Sequence, residues 1–135
     1  MLNLTRDDLL AGFTAAQPYT IEAAAAAPSS PGVHVVVDGA AVVYVGWTGN
    51  LRRRLRQHLT GSRGSSPLHD QVGQILDTPG SAAPAADIAE WLGRCTVRWQ
   101  ETENPEGAKD ALVVALHPCF NRQVPRQRRA PAGRA

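Results

Sequence analysis

Two runs dominated by valine and other apolar residues, PGVHVVV (31–37) and AAVVYVG (40–46), flank the dipeptide Asp38-Gly39. A turn-forming pair between two such runs predicts an antiparallel hairpin. The pattern then changes period. In LRRRLRQHL (51–59) leucine recurs every fourth position, which predicts a helix over 51–60 capped by Asn50. LHDQVGQILD predicts a second helix, DIAEWLG a short one and CTVRWQET a third strand. Asn104-Pro105-Glu106 supplies a cap, a first-turn proline and an acid matched to the helix dipole, opening a helix that His117-Pro118 closes. Ahead of the hairpin, Thr5-Arg6-Asp7-Asp8 reads as a capping box, and IEAAAAAPSSP adds a turn of helix before its prolines. The predicted class is α+β: a small three-stranded antiparallel sheet flanked by helices. Its core runs β-β-α-α-β-α with an extra N-terminal helix. Residues 1–30 form a helical extension, 31–122 the core domain, and 123–135 a basic tail expected to be disordered.

Charge sharpens this picture. The formal net charge of +2 hides a clustered distribution. Residues 50–66 carry five arginines and no acid, and residues 122–135 carry five more with none. A codon bias explains the preference for arginine over lysine, but not the clustering, which suggests a polyanionic partner. Cys95 and Cys119 are too few and too far apart for a zinc site or a disulfide framework. With no signal peptide or apolar span in view, the expectation is a reduced, cytoplasmic chain with no membrane partner.

On a helical wheel at about 100° per residue, Leu51, Leu55 and Leu59 form one stripe facing the sheet. Arg54 and His58, one turn apart, border it on one side; Arg52 and Arg56 border it on the other; Arg53 points to solvent. A merely solvated helix interleaves acids as i,i+4 partners. This one has none.

These residues resemble the GIY-YIG nucleases, which include the incision nuclease of excision repair, structure-specific junction nucleases and some homing and restriction enzymes. Gly32-Val33-His34 sits where the family has GIY, and Tyr44-Val45-Gly46 where it has YIG. Thr48, Asn50 and Leu51 continue the likeness. Arg54, ten residues beyond Tyr44, takes the place of the catalytic arginine, with His58 one turn later. Leu112-Val113, Leu116, Pro118 and Asn121 are similar to the closing helix and its terminal asparagine, so the resemblance spans residues 31–122. It implies that the residue at His34 deprotonates the attacking water, that Tyr44 and Arg54 hold the scissile phosphate, and that Asn121 braces the site. A magnesium or manganese ion held by a glutamate of the last helix completes the family's site. It also implies DNA, duplex, branched or single-stranded, as partner, without a small-molecule cofactor. Arg52, Arg53, Arg56 and Trp47 are the candidates for further nucleic-acid contacts.

Two departures from the family pattern matter. His34 replaces the usual tyrosine, and an imidazole titrating near about 6.5 can act as a base at neutral pH without help. For His34 to lie directly across from Tyr44, the hairpin must turn through three residues, with Val37 facing Ala41; that register is the one expected, although Asp38-Gly39 alone favours a two-residue turn. The family's metal-binding glutamate falls on Lys109, and a lysine cannot hold magnesium, which takes oxygen ligands. Three outcomes stay open. Glu106, one turn earlier, supplies the metal ligand, with Asp110 a poorer substitute. The Lys109 ammonium replaces the metal's charge, and no metal is used. Or the site is inactive and the fold serves nucleic-acid binding. The function expected is therefore a DNA endonuclease, with an inactive nucleic-acid-binding module or a small protein-interaction domain as alternatives. Repair, restriction, mobile-element and defence roles all fit so small a domain.

Overall fold

A computed structural model of the chain describes residues 5–121. The helices are α1 (Arg6–Leu9), α2 (Ile21–Ala26), α3 (Leu51–Thr60), α4 (Pro67–Leu76), α5 (Ala85–Gly93) and α6 (Pro105–Leu116). The strands are β1 (Gln17–Pro18), β2 (Gly32–Asp38), β3 (Ala41–Thr48) and β4 (Thr96–Glu101), and a 3₁₀ turn spans Cys119–Asn121. The α+β class is that expected, but the core runs β-β-α-α-α-β-α, because α5 stands as a third helix between the hairpin and β4. The sheet, however, has four strands in the order β1-β4-β2-β3, with every pairing antiparallel. The extra strand is the two-residue β1, too short and too proline-marked to show as a strand pattern. The basic tail expected over 123–135 lies outside the described residues.

The N-terminal segment is built into this sheet. Tyr19 is fully buried and its hydroxyl donates to the Leu55 carbonyl of α3 at 2.7 Å. Arg98 of β4 donates to the carbonyls of Thr14 and Leu10 at 2.8 and 3.2 Å.

Both faces of the sheet are covered, which is why β2 is buried through six successive residues. On one face Val33, Val35, Val37 and Val45 pack with Leu10 and with Leu112 of α6. On the other, Val36, Val43, Tyr44, Val97 and Trp99 pack with Leu51, Leu55 and Leu59 of α3 and with residues of α4 and α5.

The hairpin reaches its register by a different route from the one expected. Asp38 pairs with Ala41 and Val37 with Val42, so the turn holds two residues, Gly39 at a positive φ of 62° and Ala40. The register then slips: Val36 pairs with Tyr44 and His34 with Gly46. Val43 is the extra residue of a β-bulge, so Val43 and Tyr44 join the same core cluster. Without the bulge, Tyr44 would oppose Val35 and point to the far face. His34 and Tyr44 thus share a face, but as a diagonal pair with ring centroids 6.0 Å apart. The residue directly across from His34 is Gly46, and a Cβ there would lie 2.6 Å from the imidazole Nε2. Only glycine leaves room for the ring.

Three histidines stitch α3 and α4 to this face. His34 Nε2 lies 3.1 Å from His58 Nε2, and His58 Nδ1 lies 2.6 Å from Ser66 Oγ. Ser66 caps α4 by accepting the His69 backbone N–H at 3.0 Å, and His69 Nδ1–H donates to the His58 carbonyl at 2.8 Å. Ser66 Oγ can donate to His58 Nδ1 or accept from it, and the tautomer of His58 sets the direction of its bond to His34. Among the described residues, the fully buried His34 Nδ1 has no hydrogen-bond partner. Burial, reinforced by the Arg54 charge, drives the His34 pKa down to about 3. His58 is held well below its usual range by burial first, then by His34, Arg54 and His69.

The edge strand β3 is closed by Asn121. Its Oδ1 accepts the Val45 N–H and its Nδ2 donates to the Val45 carbonyl, each at 2.8 Å, as a neighbouring strand would.

Two predictions follow from this packing. Asn121→Ala strands both polar groups of a buried peptide and lowers unfolding free energy by about 2–4 kcal/mol, measured by urea titration; a loss under about 0.5 kcal/mol contradicts the latch. Second, the two buried imidazoles bind protons in the unfolded chain near pH 6.5 but resist them when folded. Their contribution is complete above about pH 6.5 and is lost as pH falls from there towards the lowered folded-state values, about 3 for His34. Thermal unfolding at stepped pH should show this decline, and the His34 and His58 ring resonances should not titrate between about pH 5 and 8. Titration of either ring near its ordinary value contradicts the assignment.

Candidate nucleic-acid interface

A cleft of about 910 Å³ opens between the end of β3, the outer side of α3 and the middle of α6. Each wall follows from local sequence. The bulge sends Tyr44 to this side, and the Asn50 cap starts α3 with its side chain accepting the Arg53 N–H at 3.0 Å. The leucine stripe then leaves three arginines on the cleft side. Arg53, Arg54 and Arg56 line the cleft together with Tyr44, Trp47 and Lys109.

Arg54 is half-buried and held in place. Its Nη1 donates to Gln57 Oε1 at 2.6 Å and to the Ser65 carbonyl at 3.0 Å. The guanidinium also hydrogen-bonds the Tyr44 phenol oxygen, so the two side chains form one polar edge of the cleft. Tyr44 is 8% exposed, and burial raises its phenol pKa despite the opposing Arg54 charge. The phenol therefore stays protonated and offers a hydrogen-bond donor. Trp47 is 43% exposed, so its indole face is free to meet a base.

His34 and His58 do not face the cleft. Both are fully buried and neither lines it. The physical reason is the register: opposite Gly46, the His34 ring turns into the core against His58 and away from solvent. The imidazole considered as a base for an attacking water thus stands within the wall beside Tyr44, while the phenol and guanidinium share the open space. Asn121 lines the cleft, with its amide bonded to Val45 of β3. Arg53, assigned to solvent by the wheel, is exposed yet borders the cleft; Arg52 lies on the other side of α3, its Nε donating to the Ala27 carbonyl at 2.8 Å.

Glu106 is exposed and does not line the cleft. Lys109 does; its side chain is only 17% exposed and its Nζ lies 2.9 Å from Asp110, which is 64% exposed and outside the lining. Among the described residues, the lining contains no aspartate or glutamate, and no three acidic, histidine or cysteine side chains cluster to hold a metal. The remaining side-chain oxygens are hydroxyls and the amides of Gln57 and Asn121, both already engaged. This donor set does not fit magnesium or manganese, which need carboxylate oxygens. Glu106, exposed and outside the lining, does not add a carboxylate to it.

Sequence reasoning gave no role to Ser66 and His69, which hold His58. The Ser66-Pro67 pair at the start of a helical pattern was the available signal, as a cap followed by an N1 proline.

No family model matches the chain, and no curated protein matches it. Among solved structures, it is similar to the magnesium-bound GIY-YIG N-terminal endonuclease domain of UvrC from Thermotoga maritima. The identity is 17% over 74% of this chain and 92% of that one, with a TM-score of 0.48. An asparagine-to-alanine point mutant of the same Thermotoga maritima domain, bound to its catalytic divalent cation, matches at 17% identity. It covers 73% of this chain and 90% of that one, with a TM-score of 0.47. The cleft's own residues, and not these likenesses, carry the chemistry.

Proposed function

We propose that this chain is a DNA-binding domain of nuclease-like design whose cleft grips the phosphodiester backbone without a divalent metal. One observation carries the reading: Arg53, Arg54, Arg56 and Lys109 line a single cleft in which no described residue is a carboxylate. None of the three arginines forms an ion pair among the described residues. Of the four, only Lys109 has an ionic partner among the described residues, the largely exposed carboxylate of Asp110.

Each residue then has a part. The immobilised Arg54 guanidinium offers a planar fork to phosphate oxygens. Tyr44 adds a neutral O–H donor. Lys109 supplies a point charge on the opposite wall, where the GIY-YIG resemblance places a metal ligand. Trp47 gives a stacking face at the rim. The neutral state of His34 and His58 keeps the wall behind Tyr44 uncharged, so the field in the cleft comes from arginine and lysine and is constant across physiological pH.

A second reading, phosphodiester hydrolysis in the same cleft, is favoured by the approach of Tyr44 and Arg54 to one space. In that reading Lys109 stabilises the charge developing on phosphorus. Cleavage is slow and persists in chelator, because no lining residue recruits a metal.

Fluorescence anisotropy with labelled DNA tests the first reading. Affinity should be unchanged between chelator and magnesium at matched ionic strength and should fall steeply with salt. Arg54→Ala should weaken binding at least about tenfold. Salt-insensitive binding, or an Arg54→Ala variant with wild-type affinity, overturns the cleft assignment. Lys109→Glu should weaken binding in chelator and recover it with manganese, because the new carboxylate and a phosphate share the ion; a variant indifferent to manganese contradicts the placement of Lys109. Incubation of supercoiled plasmid with wild type in chelator decides the hydrolysis reading, which requires nicking that Arg54→Ala abolishes.

A further inference from the structure

The outer side of α3 separates two depressions. Beyond the main cleft, a smaller groove of about 340 Å³ lies between α2 and α3, floored by Ile21, Ala24 and Ala25 and edged by Ser29, Asn50 and Arg52. Arg53 and Arg56 border both depressions, so they form the crest between them. The smaller groove, like the main cleft, has no aspartate or glutamate among its described lining residues. Its volume is at the low end of small-ligand sites, and its floor is apolar, with Ile21 40% exposed.

Position explains why the groove exists. The Leu51 N–H donates to the Ser30 carbonyl and the Arg52 N–H to the Pro28 carbonyl, each at 3.0 Å. These bonds anchor the first turn of α3 to the chain leaving α2. Arg52 Nε, bonded to the Ala27 carbonyl, fixes the guanidinium along the groove edge, and among the described residues the guanidinium forms no ion pair. An apolar floor beside an anchored cation is suited to a sugar or base face next to a phosphate.

Resting on the cleft reading above, we propose that one nucleic-acid strand occupies both depressions at once. It enters the main cleft at Tyr44 and Arg54, crosses α3 over Arg53 and Arg56, and places a following nucleotide in the α2–α3 groove against Ile21 and Arg52. The ligand class is single-stranded DNA, whose flexible backbone can follow the crest and whose unpaired base can lie on the apolar floor. An acidic peptide shares the charge but not the alternation of phosphate and flat apolar ring that this surface presents.

The test compares two probes by amide chemical-shift mapping and by affinity: a thymidine dinucleotide, and an oligothymidylate of about 12 nucleotides, within the site sizes of single-strand grooves. The dinucleotide should perturb Tyr44, Trp47 and Arg54 only. The longer strand should also perturb Ala24, Ala25 and Ser29 and bind more tightly. Arg52→Ala should remove most of that gain, at least about tenfold, and lower the salt slope by about 0.7, leaving dinucleotide affinity as in wild type. Ala25→Glu, a change at an exposed position with the native Arg52 retained, should do the same by repulsion; thermal melts verify that each variant is folded. If the longer strand perturbs the main cleft alone, or both variants bind it like wild type, the second groove is not part of the path and the cleft reading stands. If the dinucleotide leaves the main cleft unperturbed, both readings fall. If polyglutamate of equal length binds as tightly with the same dependence on Arg52, the groove is an acidic-peptide site and the nucleic-acid assignment is overturned.

Discussion

One inserted residue in β3 governs the geometry of the site. In a strand, side chains alternate between faces, so a single extra position reverses everything that follows it. The bulge at Val43 spends that reversal on Tyr44, which joins His34 and Val36 on the face covered by α3. Two further constraints keep the arrangement in place. Gly46 leaves space for the His34 ring, and Asn121 occupies the edge of β3 at Val45 so that the bulged strand cannot slide or recruit another. The phenol can meet the Arg54 guanidinium because these backbone features coincide.

The charge of the cleft is as deliberate as its shape. Arginines that would ordinarily be paired along a helix have no acids within α3, and the one lysine of the chain stands on the opposite wall. The histidines next to them are neutral because burial and Arg54 both oppose a proton. The chain thereby keeps a fixed cationic surface in front and an uncharged, hydrogen-bonded support behind. The cost is a His34 Nδ1 without a hydrogen-bond partner among the described residues, and a fold that weakens in acid. A surface of this kind attracts polyanions through counterion release, a force that needs no metal and no particular base sequence.

Much of this was legible in the chain, and the limits have physical causes. The leucine spacing of α3, the caps at Asn50 and Asn104 and the valine runs of the hairpin announced their elements, because each is a local preference acting over a few residues. Tyr44, Arg54 and Lys109 line one cleft, and the expectation of a shared site was readable from spacing and resemblance. The route of the hairpin was not. A three-residue turn and a two-residue turn followed by a bulge give the same facing for Tyr44, and while Asp38-Gly39 favours a two-residue turn, nothing in VVVDGAAVV signals the bulge. Burial of His34 was equally hidden, since it follows from the absent side chain of Gly46 across the ladder. The strand β1 forms only because β4 offers an edge to it, a tertiary effect that two residues cannot signal on their own.

The claim on which all of this depends is that a phosphate sits between Arg54, Tyr44 and Lys109 with no divalent ion beside it. A crystal structure of the protein with a short single-stranded oligonucleotide, grown in chelator and then soaked with manganese, tests it most directly. The account predicts a backbone phosphate within hydrogen-bonding distance of the Arg54 guanidinium, the Tyr44 hydroxyl and the Lys109 ammonium, with no anomalous manganese peak in the cleft. A manganese ion bound there, or an oligonucleotide held elsewhere with the cleft empty, would contradict it.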